Sequence, residues 1–259
     1  MSTESDLLFS VTDDVGLITF NRAAARNALT FEMYDAIADI CDQIHAKDLD
    51  IKALIFTGAG HKAFAAGTDI SRFKEFKSEE DALGYERTMD KVLGRLESLP
   101  IPTVAAIRGA CTGGGAAIAA CCDLRVASND LKFGFPIART LGNCLSVGNL
   151  SRLVELLGTS RTREILLTSR LIEIDEALTI ALVSECVEDP LGRAQELCEL
   201  LKGQAPLTIA ASKEGLRRLR ERAAEVEGDD LIVQCYTSED FHEGIDAFFA
   251  KRQPRWQGK

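Results

Sequence analysis

The stretch GACTGGGAAIAACCD, residues 109–123, sets three consecutive glycines, Gly113 to Gly115, ahead of a run of small apolar residues. Glycine in a helix or strand interior costs about 0.5–1 kcal/mol relative to alanine, so the run marks a place where bare backbone is needed. A phosphate-binding P-loop would follow its glycines with Lys and then Ser or Thr; here Ala116, Ala117 and Ile118 follow. The dinucleotide spacing G-x-G-x-x-G is not met either. The flanks read as a strand, TVAAIRG at 103–109, and a small-residue helix, AAIAACC at 116–122. The N–H groups at such a helix start have no intrahelical partner and carry the positive end of the helix dipole. Glycines let a ligand oxygen come close to them. That suits a carbonyl developing into an oxyanion better than a triphosphate. Close helix–strand packing is the alternative that needs no ligand.

The 259 residues are 46% hydrophobic and 27% charged, ordinary for a globular protein with a sizeable core. A net charge of −10 argues against a general nucleic-acid binder. Apolar runs such as VAAI at 104–107 are too short to span a bilayer. The acidic start MSTESDLLFSVTDD lacks the basic and then apolar form of a secretory signal. These features predict a soluble cytoplasmic protein without membrane contact. The eight cysteines form no C-x-x-C pair, and the three histidines are scattered, so neither disulfides nor a metal site is expected.

Further out, LLFSV, TDD and VGLITF predict a hairpin. Thr30 caps a helix whose Met33, Ile37, Ile40, Cys41 and Ile44 recur at helical spacing. KALIFTG at 52–58 reads as a strand ending in a glycine-containing turn, GAGHKAFAAG. A charged helix spans about 78–99, DLRVAS and KFGFP are strand-like, and helices dominate from about Ser146. The fold class is α/β with a helical C-terminal part. No internal repeat is evident in the side chains.

Five spaced segments, taken in order, resemble the enoyl-CoA hydratase/isomerase (crotonase) family. They are Asn21-Arg22 with Asn27-Ala28-Leu29, Ala63–Ile70 (AFAAGTDI), Pro102–Gly109 with its glycines, Cys122–Ala127 (CDLRVA), and SEDFHEG at 238–244 with Phe249, Lys251-Arg252 and Pro254, similar to the family's closing FxxKRxP. The first departs from the usual NRP by carrying Ala23. The resemblance covers nearly the whole chain. It implies a crotonase-like spiral of ββα turns over residues 1–200 and a C-terminal helical region, 201–259, for trimerisation and for closing the CoA site. It also implies an acyl-CoA thioester as ligand, no cofactor beyond the coenzyme A of the substrate, and a homotrimer or dimer of trimers. The oxyanion-hole donors would be the N–H groups of Thr68 and Gly114. CoA-binding positions would be Arg26, Ala66, Thr68, Asp69, Ile70, Ser71, Phe248 and Lys251.

The two glutamates on which the family's hydratases depend are absent: their positions hold Ala117 and Ile137. Neither side chain can carry a proton. Candidate substitutes lie in FGFPIARTLGNC at 133–144, where Arg139 and Asn143 could orient a substrate group or simply pair structurally. Cys144 is either a nucleophile activated by Arg139 or an inert buried thiol. Glu86 and Asp90 on the 78–99 helix could reach the acyl end, though a charged helix reads first as a solvated face. Asp69 reads as one half of an ion pair that holds its loop. The sequence thus predicts an acyl-CoA enzyme working through a thioester enolate, by hydration, isomerisation, decarboxylation or another lyase step. The alternative is a CoA-thioester-binding homologue without turnover.

Overall fold

The computed structural model describes residues 5–76, 78–221 and 228–258; residues 1–4 of the acidic start and Lys259 of the basic tail lie outside them. In chain order the strands are β1 Leu7–Thr12, β2 Val15–Phe20, β3 Ala53–Gly58, β4 Ala63–Ala66, β5 Thr103–Ile107, β6 Ala110–Thr112, β7 Leu124–Ala127, β8 Lys132–Gly134, β9 Ile172–Glu173 and β10 Glu185–Cys186. The helices are α1 Phe31–Ala46, α2 Glu79–Glu97, α3 Gly114–Cys121, α4 Ile137–Thr140, α5 Val147–Leu157, α6 Thr159–Thr168, α7 Ile174–Thr179, α8 Pro190–Lys202, α9 Pro206–Glu221, α10 Asp229–Tyr236 and α11 Glu239–Phe249.

The hairpin forms as predicted, with Asp13 and Asp14 at positive φ in its turn. Thr30 caps α1 by accepting from the Met33 N–H, and Ser78 caps α2 in the same way from Asp81. Two sheets are interleaved along the chain. The larger has the order β1-β2-β3-β5-β7-β10, parallel beyond the hairpin; the smaller has the order β4-β6-β8-β9. Each successive pair, β3/β4, β5/β6 and β7/β8, places its first strand in the large sheet and its second in the small one, and a helix follows. This is the spiral of ββα turns.

Both faces of the large sheet are covered, which is why its strands read as continuous apolar runs. Leu54, Phe56, Ala105 and Ile107 face the main core with α1, α2 and α3. Ala53, Ile55, Val104 and Ala106 face α8 through Ala194 and Cys198. A third cluster joins Phe73 and α2 to α10 and α11 through Tyr236, Phe241 and Ile245.

Two segments differ from the sequence reading. GAGHKAFAAG is expected to be a turn but contains β4, and β6 lies inside the expected glycine turn. Both strands are very short and built of small residues, so no alternation marks them. They are strands because the spiral stacks β4 on β6 and β6 on β8.

Asn27 holds the first of these turns. It is fully buried at φ 56°, donates to the Ala59 and Ala63 carbonyls at 3.0 and 2.8 Å, and accepts from the Arg22 N–H at 3.0 Å. Asn27→Ala strands two carbonyls and an N–H in the interior and puts alanine in left-handed backbone. We expect a loss of about 2–4 kcal/mol in urea unfolding. A loss below about 1 kcal/mol, the size of an ordinary surface change, would show that the loop is held by other means.

Candidate active site

The three glycines are needed for three different reasons. Gly113 has φ 52° and ψ −122°, a conformation that side chains avoid, and it turns the chain from β6 into α3. At Gly114 an added Cβ would collide with the Tyr34 hydroxyl and meet Thr68 Oγ1 at 2.8 Å. At Gly115 it would strike the backbone of Ala65 in β4. Packing and site geometry therefore share the run: Gly115 lets α3 lie against β4, and Gly114 leaves room for hydroxyl groups over the helix start.

The segment after Arg22 fixes the facing loop. Ala66 N–H donates to Arg26 O at 3.0 Å, Leu29 N–H to Gly67 O at 2.9 Å, and Asp69 N–H to Leu29 O at 2.8 Å. Leu29 and Thr68 thus form a parallel bridge. Neighbouring peptide groups of an extended chain alternate in direction, so the Thr68 N–H is turned away from this pairing. Among the described residues neither Thr68 N–H nor Gly114 N–H has a protein acceptor. Asp69 steadies the loop, as its ion-pair reading has it: it pairs with Arg22 at 3.1 Å and accepts from the Ser71 N–H at 3.1 Å. Burial works to raise its pKa, but these partners outweigh it and hold the carboxyl below its ordinary value.

Thr68 and Gly114 both line a cavity of about 190 Å³. Its wall is mostly apolar, with Ile70, Phe73, Met89, Leu93, Phe135 and Leu145 among the contributors. Three hydroxyls sit beside the glycine turn: Tyr34 is 2.9 Å from Thr68 Oγ1, which is 3.3 Å from Tyr85. Burial pushes both phenols well above their ordinary pKa, so they act as neutral hydrogen-bonding groups.

Glu86 also lines this cavity. It is only 7% exposed, so the solvated-face reading fails at this residue, although Glu79, Glu80, Asp81, Arg87 and Lys91 of the same helix are exposed. Tyr236 donates to Glu86 Oε1 at 2.5 Å, and Asn143 Nδ2 donates to Tyr236 Oη at 3.0 Å. Burial pushes the Glu86 carboxyl up from 4.5 to about 7, and neighbouring Asp90 adds to the rise; the Tyr236 hydroxyl and the Ser146 N–H oppose it. Asp90 does not reach the cavity. It bonds Ser146 Oγ at 3.0 Å and pairs with Arg152 at 3.1 Å.

The other predicted positions divide. Ala66, Ile70 and Phe248 line the cavity with Thr68, and Ala117 and Ile137 do so as apolar wall. Arg26, Ser71 and Lys251 are exposed and lie outside its lining, as does Asp69. Asn143 lines it, and its buried Oδ1 has no hydrogen-bond partner among the described residues. Arg139 is exposed and outside the lining, and it does not lower the Cys144 thiol. That thiol donates to Leu231 O at 3.4 Å; its contact with Cys235, together with burial, pushes its pKa up, against a nucleophilic role. Among the described residues no group of His, Cys, Asp and Glu is placed to hold a metal ion, and no helix is long and apolar enough to cross a membrane.

Sequence reasoning passed over Tyr34, Tyr85 and Tyr236, and it set Glu86 aside. A signal for Glu86 exists: Ala82, Glu86, Met89, Leu93 and Leu96 follow one another at spacings of four and three, so Glu86 occupies a core position of α2.

Comparison with known proteins gives the family. Residues 11–259 match the family model described as enoyl-CoA hydratase/isomerase. The chain is 34% identical to a short-chain-enoyl-CoA hydratase of Clostridium acetobutylicum over 244 residues, covering 92% of each chain. It is 32% identical to a crotonyl-CoA hydratase of Syntrophomonas wolfei, covering 98% of each. Among solved structures, an enoyl-CoA hydratase/carnithine racemase from Magnetospirillum magneticum superposes with a TM-score of 0.78 at 31% identity, over 99% of this chain and 97% of that one. The chain belongs to the enoyl-CoA hydratase/isomerase family.

Proposed function

We propose that this protein transforms an acyl-CoA thioester through an enolate whose oxygen is held by the N–H groups of Thr68 and Gly114. The observation that carries the reading is the meeting of two backbone donors without protein acceptors at one apolar cavity. Charge that develops on a thioester oxygen is worth stabilising there: one such donor typically contributes about 2.7–4 kcal/mol to lowering the barrier. The donors belong to the main chain and are held by the 26–29 segment and by the start of α3, so they need no reorganisation as the reaction proceeds.

Ala66, Ile70 and Phe248 mark the side of the cavity from which coenzyme A enters, and exposed Arg26 and Lys251 are cations for its phosphates. The substrate carries the coenzyme, and no further cofactor takes part. With alanine and isoleucine at 117 and 137, the wall there cannot hold and deprotonate water between two carboxylates. Proton transfer next to the thioester, as in isomerisation, fits this wall better than hydration. The exposed leucines of α9, with Leu207 83% and Leu219 68% exposed, support association with further copies of the chain into a trimer or a dimer of trimers. The second reading, a CoA-ester-binding homologue without turnover, draws on the same two apolar positions.

Turnover of crotonyl-CoA and of 3-enoyl-CoA esters, followed by the conjugated thioester absorbance with products identified by mass, separates the readings. Gly114→Ala drives a methyl group into the Tyr34 hydroxyl and displaces the donor. Its turnover should fall about 100-fold or more while the fold persists by circular dichroism. Undiminished turnover in Gly114→Ala would sink the oxyanion assignment. Tight ester binding by the wild type without any chemical change would favour the binding-only homologue.

A further inference from the structure

We propose that Glu86 is the acid–base group of this site, taking a proton from the carbon beside the thioester carbonyl and returning one to the acyl chain, with Tyr236 as its positioning residue. The proposal rests on the enolate reading above and adds the group that moves the proton.

Glu86 supplies the one ionisable carboxyl among the described residues that line the acyl cavity. It comes from α2, a different element from those that carry Ala117 and Ile137. Its surroundings do not make sense as structural support. A carboxyl buried for stability is normally paired with a cation, because desolvating an unpaired charge is costly. Here the side-chain partner is the neutral Tyr236 hydroxyl. The nearby cation, Arg152, is engaged by Asp90 and Glu97 instead. Its other neighbours are Tyr34 from α1, Tyr85 and Asp90 from α2, Cys144 from the segment before α5, and Tyr236 from α10; the further cations of the second cavity that Glu86 lines, Arg87, Arg217 and Arg220, pair with Asp229, Glu214 and Glu97. A carboxyl so placed in a cavity wall is a candidate for chemistry. Its pKa of about 7 lies where a group can both take and give a proton near neutral pH.

Glu86 also has a route for exchanging that proton. It lines a second, polar cavity together with Asp90, Ser146 and Arg152, so the carboxyl stands in the wall between the acyl site and a water-accessible space. The step balances without a co-reactant. The ionised carboxyl takes the α-proton, the C–H electron pair becomes the enolate double bond, and negative charge moves to the oxygen facing Thr68 and Gly114. The protonated carboxyl then returns a proton to the α-carbon or, in a 3-enoyl chain, to the γ-carbon. The latter gives the conjugated 2-enoyl ester.

The test uses but-3-enoyl-CoA in deuterium oxide with the full-length protein. Deuterium entry at the α-carbon is read by mass spectrometry and conjugation by absorbance. Wild-type protein should catalyse both, and Glu86→Gln should lose about 100-fold or more in rate while still binding the ester. Glu86→Asp should recover part of the lost rate. Wild-type exchange that persists unchanged in Glu86→Gln overturns the Glu86 assignment and leaves the enolate reading intact. Absence of exchange and of conjugation in the wild type overturns both. The wild-type pH profile decides even if Glu86→Gln fails to fold. Because the base must be ionised, the rate should rise with pH through about 7 and then level off; a rate independent of pH across that range overturns the proposal. Tyr236→Phe removes a hydrogen bond that favours the ionised carboxyl, so its inflection should move to higher pH. An unmoved inflection overturns the positioning role of Tyr236.

Discussion

The site depends on a short strip of main-chain hydrogen bonds between residues 26–29 and 66–69. Without it the loop after β4 would be free to turn its peptide groups, and the Thr68 N–H would have no fixed direction. Asn27 anchors the strip from beneath by closing onto Ala59 and Ala63, and Arg22 anchors it at the side through Asp69. Seen this way, the Asn-Ala-Leu segment near the start of the chain makes no contact with the acyl cavity through Asn27 itself. Its contribution is to set a peptide plane on which the chemistry is proposed to act. Such a plane, tied on one edge and bare on the other, loses little entropy when a ligand oxygen arrives.

The cavity divides its tasks between backbone and side chains. The groups proposed to recognise the thioester are peptide N–H bonds, which no side-chain substitution removes. The groups that would choose the reaction are wall side chains from several elements: Ala117 from α3, Ile137 from α4, Glu86 from α2 and Tyr236 from α10. A carboxyl on the α2 wall, with apolar side chains at 117 and 137, leaves the two backbone donors where they are. This is why membership of the family, which is plain in the chain, does not by itself specify the reaction.

Much of the architecture was legible in the sequence, because the hairpin, the Thr30 cap and the apolar runs of β3 and β5 are strong local signals. β4 and β6 were not, since a few small residues carry no period and become strands only by stacking on neighbouring turns of the spiral. The same division applies to the site. The glycine run announced its need for bare backbone, but the collision partners that explain it, Tyr34 and Ala65, come from distant parts of the chain. Glu86 was visible as a core position in the period of α2, yet the abundance of charge around it favoured a solvated reading. Only the packing of α10 across α2, through the cluster of Phe73, Tyr85, Tyr236 and Phe241, shows what covers it.

That covering has a consequence for how the protein is made. Tyr236 and Phe248, both parts of the cavity's surroundings, lie in the last two helices, whereas Thr68, Glu86 and Gly114 lie in the first half of the chain. A ribosome releases the early spiral first. The apolar residues of the cavity therefore emerge before the helices that close it, and a chain interrupted before α10 leaves Phe73 and Tyr85 without their aromatic lid. Completion of the last helices both buries that surface and finishes the pocket. A chain truncated before α10 leaves this apolar surface uncovered, and exposed apolar patches of that kind favour association.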